Sequence, residues 1–173
     1  RLDELFPFLI EQGTASAAIV NSKLYGILPF WEACHKAGIH GVVGLSVFIE
    51  FEGQEYPAVL YAQSNTGYKN LLKITSALST RDKAAIPEQW LKAYRQGLIC
   101  VIPSKAEWVM TDRSEAVHFL HEIFGSLCYG SIERPGGQRI EQEENFIALC
   151  ENENLRIMAT QESRYLHESD KVF

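Results

Sequence analysis

Two histidines and a glutamate lie within one turn of a predicted helix and form the first candidate for a metal site. His118 and His121, in the segment HFLHE, have a spacing that places both on one helical face, with Glu122 adjacent. Zinc prefers imidazole and carboxylate ligands, but a site needs a third protein ligand and the sequence signals none nearby. We therefore interpret this group as part of a solvated helix face.

Motifs for covalent catalysis and for nucleotide binding are missing from the sequence. No serine lies in a G-x-S-x-G turn, and neither a phosphate-binding loop nor a dinucleotide fingerprint is present. The four cysteines, Cys34, Cys100, Cys128 and Cys150, are far apart in apolar segments. We predict that they are buried, reduced thiols.

The segment SNTGYKNLLKIT combines a capping residue, a glycine, an aromatic residue and a lysine at the start of a predicted helix. Ser64 or Asn65 can cap this helix, and apolar residues then recur at helical spacing to Leu78. A helix start of this kind could hold an anion. A capped helix on the protein surface also accounts for every residue of the segment, and we favour that interpretation.

These candidates must be positioned by alternating helices and short apolar strands. Helical periodicity predicts helices over residues 2–12, from near Pro29 to Gly38, after Ser64, and in PEQWLKAYRQG, SEAVHFLHEIFG and IEQEENFIALCENEN. The predicted strands are SAAIV, GVVGLSVFIEF, YPAVLYAQ, LICVIP, LCYGSI and LRIMAT. The polar turn EGQE joins the second to the third and predicts either a hairpin or a pair of sequential strands. The pattern favours an α/β fold in which helices cover parallel strands. We expect functional groups at the carboxyl ends of these strands, in the polar residues after AAIV, GVVG, LICVI, CYGSI and IMAT.

Length and charge limit the classes of protein. The chain has 173 residues, 46% of them hydrophobic, which is enough for one sizeable core, and we expect a single domain over residues 1–173. No apolar run approaches the roughly 18 residues of a membrane span, and the acidic first segment does not resemble a signal peptide. We expect a cytoplasmic protein without membrane contacts. The net charge of −6 also argues against direct nucleic-acid binding, since the basic residues are scattered among acidic ones.

Five segments together resemble a known family. They are KLYGILPFWEACHKAGIHGVVGLSV, YAQSNTGYKNLLKITSALST, YRQGLICVIP, IFGSLCYGSIER and IMATQESRYLHESDKVF. In this order they are similar to the PHP (polymerase and histidinol phosphatase) domain of bacterial DNA polymerase III alpha subunits, most specifically in NTGYKNLLK after YPAVLYAQ. The resemblance implies an α/β fold, an irregular, distorted β/α barrel, here incomplete at its N- and C-terminal ends. In active members, His, Asp and Glu at the strand ends bind divalent metals for phosphoester hydrolysis.

The resemblance also implies that the metal site is degenerate in this chain. The family's T-D-H turn corresponds to Val20-Asn21-Ser22, its G-C-E to Gly44-Leu45-Ser46, its Q-R-H-G to Glu133-Arg134-Pro135-Gly136, and its late N-D-x-H-Y-L to the segment 161–166. The degenerate positions are therefore Asn21, Ser22, Ser46, Pro135, Glu162 and Arg164, of which only Glu162 could still bind a metal. We expect no metal, no other cofactor and no catalytic residue in this chain.

Electrostatics strengthens this expectation. Asn, Ser and Pro are poor ligands for a divalent ion or cannot bind one at all. Arg164 would replace a histidine, and a guanidinium about 4 Å from a divalent ion costs on the order of 8 kcal/mol at an effective dielectric constant near 20. Arg164 could instead pair with Glu162 or another nearby acid.

Three functions follow from these considerations. The first is a non-catalytic PHP domain that braces the rest of a DNA polymerase III alpha chain, the part that would synthesise DNA, and that offers a docking surface to other replisome proteins. The second is a residual metal-dependent phosphoesterase or 3′–5′ proofreading nuclease that combines N-terminal histidines outside this chain with Glu162. The third is a free-standing α/β ligand-binding module with a pocket at the strand ends.

Overall fold

The computed structural model describes residues 2–81, 85–104, 114–134, 137–139 and 141–161. The strands are β1 Ser16–Asn21, β2 His40–Phe51, β3 Gln54–Ala62, β4 Ala85–Pro87, β5 Leu98–Pro103, β6 Cys128–Ile132 and β7 Arg156–Ala159. The helices are α1 Leu2–Glu11, α2 Ile27–Ala37, α3 Asn65–Ser79, α4 Glu88–Tyr94, α5 Ser114–Phe124 and α6 Glu143–Asn152. This order confirms the predicted alternation, and β4 is an additional strand that the sequence patterns did not indicate.

The seven strands form one mixed sheet in the order β1-β2-β3-β5-β6-β7, with β4 paired to β2. The β1–β2, β2–β4, β5–β6 and β6–β7 pairs are parallel. The strand β3 runs antiparallel to both β2 and β5, which confirms the hairpin that the turn EGQE predicts as one of two alternatives. The reason is the short connection between β2 and β3, since a two-residue hairpin can join only antiparallel strands.

A tight turn at Glu52 and Gly53 sets the register of the β2–β3 hairpin. Both residues have positive φ, 49° for Glu52 and 76° for Gly53. This conformation matches the type I′ turn, whose twist suits two antiparallel strands. The hairpin keeps β2 extended to Phe51, so β2 is long enough to pair with β1 near its start and with β4 near its end.

Alternation along the strands gives the sheet two different faces. The outer face carries Leu45, Leu60 and Cys100, which lie side by side across three strands and are fully buried. The main hydrophobic core lies between this face and α3, α4, α5 and α6, for example through Leu71, Leu91, Leu120 and Phe146. The helices of the described part of the chain all lie on this outer side. The curled sheet therefore forms half of a barrel, with its other face turned inward.

A smaller hydrophobic cluster holds α1 and α2 against the start of the sheet. It contains Phe6 of α1, Phe30 and Cys34 of α2, and Ile39, which precedes β2. The rings of Phe6 and Phe30 have their centroids 5.9 Å apart. These contacts use one side of α2 and leave its opposite side outside the core.

The prediction of buried, reduced cysteines is confirmed. Cys34, Cys100, Cys128 and Cys150 are all free thiols and all buried. A hydrogen bond to Cys128, together with burial, raises the pKa of Cys100, and burial raises the pKa of Cys150 to about 12. Such thiols stay protonated at neutral pH, so they pack as apolar groups.

Within the described ranges, none of the helices is both long enough and apolar enough to cross a bilayer.

Candidate functional site at the strand ends

The first two predicted site positions lie together at the carboxyl end of β1. Asn21 is the last residue of β1 and pairs in register with Leu45 of β2. Ser22 follows directly, just as Ser46 follows Leu45, so the three positions lie at the same level of the β1–β2 pair. Pro135, Glu162 and Arg164 fall outside the described residues.

The side chain of Asn21 is occupied by the turn that follows β1. Its Nδ2 donates a hydrogen bond of 2.8 Å to the carbonyl oxygen of Tyr25, and its Oδ1 accepts one of 3.4 Å from the backbone N–H of Lys23. Asn is well suited to this role because its amide can both donate and accept. Asn21 therefore fixes the backbone of the β1–α2 connection, which sequence reasoning did not anticipate.

Ser46 does not lie at a strand end, and the expectation that it would was wrong. It is the seventh residue of β2, which continues to Phe51. The segment VFIEF keeps apolar residues on the outer face at alternate positions, with Val47 and Ile49 buried, and β3 pairs with it throughout. Ser46 is an exposed residue on the inner face, with Gly44 and Phe48 as its neighbours on that face.

An ion pair that was not predicted lies beyond the end of β6. Arg134 donates from Nε to Oε2 of Glu143 at 2.9 Å and from Nη2 to Oε1 at 2.6 Å, and the Glu143 side chain is only 1% exposed. The hydrogen bonds from Arg134 lower the pKa of Glu143. Glu143 is the first residue of α6, where a carboxylate also interacts favourably with the helix dipole. Acidic residues at the start of an apolar helix are a sequence signal for a carboxylate at the helix N-terminus. The sequence gives no signal that Arg134, nine residues earlier, pairs with Glu143.

A cavity of about 470 Å³ lies next to this ion pair, at the ends of β6 and β7. Its lining residues are Ile132, Arg134, Ile157, Met158, Ala159, Thr160 and Gln161. Its charged lining residue in the described ranges is Arg134, whose guanidinium already faces Glu143. The cavity therefore offers an apolar wall and a largely neutralised charge.

The residues at the described positions of the family site do not fit a divalent metal. Asn21 uses its carboxamide within the turn, and Ser22 and Ser46 carry only neutral hydroxyl groups, whereas such ions prefer carboxylates and imidazoles. Among the residues that the structure describes, three or more His, Cys, Asp or Glu never come together in a way that could hold a metal ion.

One of the two histidines of α5, His118, contacts acidic neighbours. Nδ1 of His118 lies 3.0 Å from Oε2 of Glu153, and Nε2 lies 3.7 Å from Oε1 of Glu122. The side chain of His118 is 61% exposed. This arrangement agrees with the interpretation of a solvated helix face.

The start of α3 is a packing contact between helix and turn. Ser64 caps the helix, since its Oγ accepts a hydrogen bond of 3.2 Å from the N–H of Gly67. A Cβ atom on Gly67 would lie 1.9 Å from the carbonyl oxygen of Gly97. The buried Asn70 donates from Nδ2 to the carbonyl oxygen of Gln96 at 2.9 Å. The motif NTGYKN thus joins α3 to the α4–β5 turn, and its glycine and second asparagine are buried rather than on the surface.

Comparison with known families identifies the family to which this chain belongs. The PHP domain family matches residues 1–130, three quarters of the chain, and the chain therefore belongs to the PHP domain family. The predicted irregular α/β barrel of the PHP type is confirmed as a curled half-barrel.

The curated relatives are DNA polymerase III alpha subunits. The subunit of Bacillus subtilis is 32% identical over 183 residues, which cover 99% of this chain and 16% of that protein. The subunit of Rickettsia bellii is 31% identical over 81% of this chain and 13% of its own length. The chain thus spans about one sixth of the length of the relatives that it matches.

Solved structures share the fold at low sequence identity. A "putative metal-dependent phosphoesterase" from Bifidobacterium adolescentis aligns with a TM-score of 0.54 and 12% identity over 91% of this chain and 80% of its own. An amidohydrolase from Chromobacterium violaceum, solved with sulfate and without metal, aligns with a TM-score of 0.54 and 9% identity over 88% and 78%. At these identities the likeness concerns the fold alone.

Proposed function

We propose that this chain is a non-catalytic PHP domain of a replicative DNA polymerase III alpha subunit, in which it braces the domains that carry out template-directed DNA synthesis. The parent chain is the DNA polymerase, and this domain supplies packing surfaces to it and to other replisome proteins. The 32% identity to the Bacillus subtilis subunit over 99% of this chain supports the parentage.

The observation that carries the non-catalytic assignment is the role of Asn21. At the position where active members of the family have an aspartate, this chain has an amide that donates to Tyr25 and accepts from Lys23. A carboxylate could not make the hydrogen bond to the Tyr25 carbonyl, because an ionised carboxylate only accepts. The Asn21 side chain thus stabilises the turn and is not available as a metal ligand. The loss of metal ligands at Pro135 and Arg164, and the isolated Glu162, stay predictions because these positions lie outside the described residues.

The experiment that tests this function uses the full-length protein encoded by the gene. We expect it to extend a primed DNA template. We also expect hydrolysis of bis-p-nitrophenyl phosphate with Mn²⁺ to be the same in the wild-type protein and in Glu162→Ala, with the exposed Glu144→Ala as the matched control. Failure to extend primers would contradict the polymerase parentage.

A residual phosphoesterase or proofreading nuclease is the second candidate, because the "putative metal-dependent phosphoesterase" from Bifidobacterium adolescentis shares the fold. Loss of hydrolysis in Glu162→Ala, with activity kept in Glu144→Ala, would establish this function. The described site positions argue against it, since Asn21 and Ser46 carry no charge to balance a divalent ion.

A free-standing ligand-binding module is the third candidate, and the cavity of about 470 Å³ at the strand ends favours it. Its volume is within the range of small-molecule sites. However, the Arg134 guanidinium that would recognise an anionic ligand is engaged by Glu143. We therefore rank this function third.

We further propose that the domain is cytoplasmic, does not contact membranes and does not bind nucleic acid directly. The net charge of −6 supports the last point.

A further inference from the structure

Three large apolar side chains lie exposed in a row along α2 and the turn before it. Tyr25 is 72% exposed, Leu28 is 65% exposed and Trp31 is 52% exposed. Their spacing of three residues places them one after another along one side of the helix. The ring of His35 stacks on Trp31 with centroids 5.7 Å apart and planes 3° apart, which extends the row by one turn. We call Tyr25, Leu28 and Trp31 the α2 stripe.

The core of the domain does not account for the α2 stripe. The opposite side of α2 carries Ile27, Phe30 and Cys34, which are buried. Those residues already fill the contacts with α1 and the sheet. The exposed area of the α2 stripe is therefore not used for packing within the described part of the chain. An aqueous surface would normally hold polar residues at these positions.

The turn before α2 holds the first residue of the stripe in place. Tyr25 lies between Leu24 and Gly26, both in the left-handed region with φ of 55° and 72°. The carbonyl of Tyr25 accepts the hydrogen bond from Asn21. A surface that is already ordered loses less conformational entropy when a partner binds.

The area of the stripe indicates what kind of partner covers it. Its three side chains expose on the order of 400 Å² at the fractions given above, if each offers about 200 Å². This equals the largest apolar patch on many monomers, which is often functional. It is about half of the roughly 800 Å² per partner that a stable complex of separate chains buries. A covalently tethered partner needs less area, because tethering supplies an effective concentration in the millimolar range.

We propose that the α2 stripe is the docking surface for another domain of the same polymerase chain, which contributes an apolar surface to cover Tyr25, Leu28 and Trp31. This inference rests on the proposed function, since the curated relatives are about six times longer than the segment that matches this chain. Interfaces between domains of one chain are small enough for a patch of this size to form their centre. Asn21 then links the family metal-site position to the docking surface, because its hydrogen bond to Tyr25 shapes the turn that carries the first residue of the stripe.

Photo-crosslinking in the full-length protein tests this docking surface. Trp31→p-benzoylphenylalanine is expected to crosslink within the same chain, to residues of a domain other than the PHP barrel, as read by mass spectrometry of the peptides. A crosslink to a segment that completes the PHP barrel would overturn the proposal, since the stripe would then belong to the packing of this domain. The same substitution at Leu72, an exposed leucine on α3, is the matched control and should give no such crosslink. Adding Leu28→Glu should lower the crosslinking yield at Trp31 about tenfold, which corresponds to about 1.4 kcal/mol of contact energy. Adding Leu72→Glu instead should leave the yield unchanged.

Other outcomes would overturn the proposal. A crosslinked dimer would make the stripe a contact between two copies, and a crosslink to a separate protein would assign it to a partner. If Trp31 gave no crosslink, the α2 stripe would be exposed to solvent in the full-length protein.

Primer extension by the same samples separates this inference from the proposed function. Synthesis without the intramolecular crosslink refutes the docking surface alone. An intramolecular crosslink in a protein that does not extend primers refutes the polymerase function alone.

Discussion

The two faces of the sheet are built from the same strands, yet they differ in what they require of the sequence. On the outer face, Leu45, Leu60, Cys100 and Cys128 form a row across four strands, and each is at most 2% exposed. One residue further along, the inner face has the row Ser46, Val59, Val101, Tyr129 and Arg156, which ranges from buried to exposed. The outer face therefore specifies the fold.

The inner face and the strand ends carry the chemistry in active members of the family. At two of the family site positions this chain has the neutral Ser46 and the turn-forming Asn21. Packing on the outer face does not depend on those groups. The comparison teaches that the packing of the outer face does not require metal-binding side chains at Asn21 or Ser46, because alternate residues of each strand face opposite sides of the sheet.

The strongest test of this separation changes two adjacent residues. Leu45→Ala should lower the free energy of unfolding by about 2–5 kcal/mol, because it leaves a cavity in the core. Ser46→Ala, on the exposed inner face, should change it by less than about 0.5 kcal/mol. Urea denaturation at pH 7 gives both values. Equal losses for the two variants would show that the inner face is packed as tightly as the outer face.

The helical layer on the outer side can be tested at Gly67. Gly67→Ala should lower stability by about 3 kcal/mol, because the added Cβ would lie 1.9 Å from the Gly97 carbonyl oxygen unless α3 moves. Thr66→Ala, at the exposed neighbouring position, is the control and should have little effect. Thermal unfolding followed by circular dichroism measures both. A stable Gly67→Ala variant would mean that α3 and the α4–β5 turn are not in contact.

Asn21 tests the strand-end side of the comparison. Asn21→Ala removes two exposed hydrogen bonds and should lower stability by about 1 kcal/mol. Asn21→Asp still accepts from the Lys23 N–H, but it loses the bond to Tyr25 and places a carboxylate against that carbonyl oxygen, so we expect a loss of about the same size. The control is Ser22→Ala, and urea midpoints measure all three. An Asn21→Asp variant that gained stability only in the presence of Mn²⁺ would show that a functional metal site lies close by.

The smallest expected effect is a pH dependence that comes from Glu143. Its carboxyl group has a pKa lowered from 4.5 in the folded state by the hydrogen bonds from Arg134. The unfolded chain therefore takes up this proton at a higher pH than the folded chain. The stabilisation is present above pH about 4.5 and is lost as the pH falls through the lowered pKa.

Glu143→Gln should lose less stability than the wild-type protein as the pH falls, when urea midpoints are measured between pH 7 and pH 3. Glu144→Gln, whose carboxylate is 84% exposed, is the matched control. If Glu143→Gln lost as much stability on acidification as the wild-type protein, the ion pair between Arg134 and Glu143 would not persist in solution.

Local patterns in the sequence predicted most of the outer face. The helix α1, the strand LICVIP and the cap at Ser64 follow from periodicity and capping, and the structure confirms them. The strand β4 was missed because three residues are too few to show a period. The turn EGQE predicted the hairpin between β2 and β3 as one of two alternatives, and the two-residue turn at Glu52 and Gly53 decides between them.

The candidate site was less predictable because its contacts join distant or irregular segments. The resemblance located Asn21, but the hydrogen bond to Tyr25 depends on the left-handed turn around Leu24 and Gly26. The pairing of Arg134 with Glu143 crosses an irregular loop and has no periodic signal. Pro135, Glu162 and Arg164 stay predictions from the resemblance.

The central claim is that this domain holds no metal at the family site, and a differential calorimetric titration tests it most directly. The full-length protein and its Glu162→Ala variant are titrated with Zn²⁺ and with Mn²⁺, so that metal bound elsewhere in the protein cancels. We predict the same stoichiometry for both. One fewer metal ion bound by Glu162→Ala would contradict the claim and restore the phosphoesterase as the function of this domain.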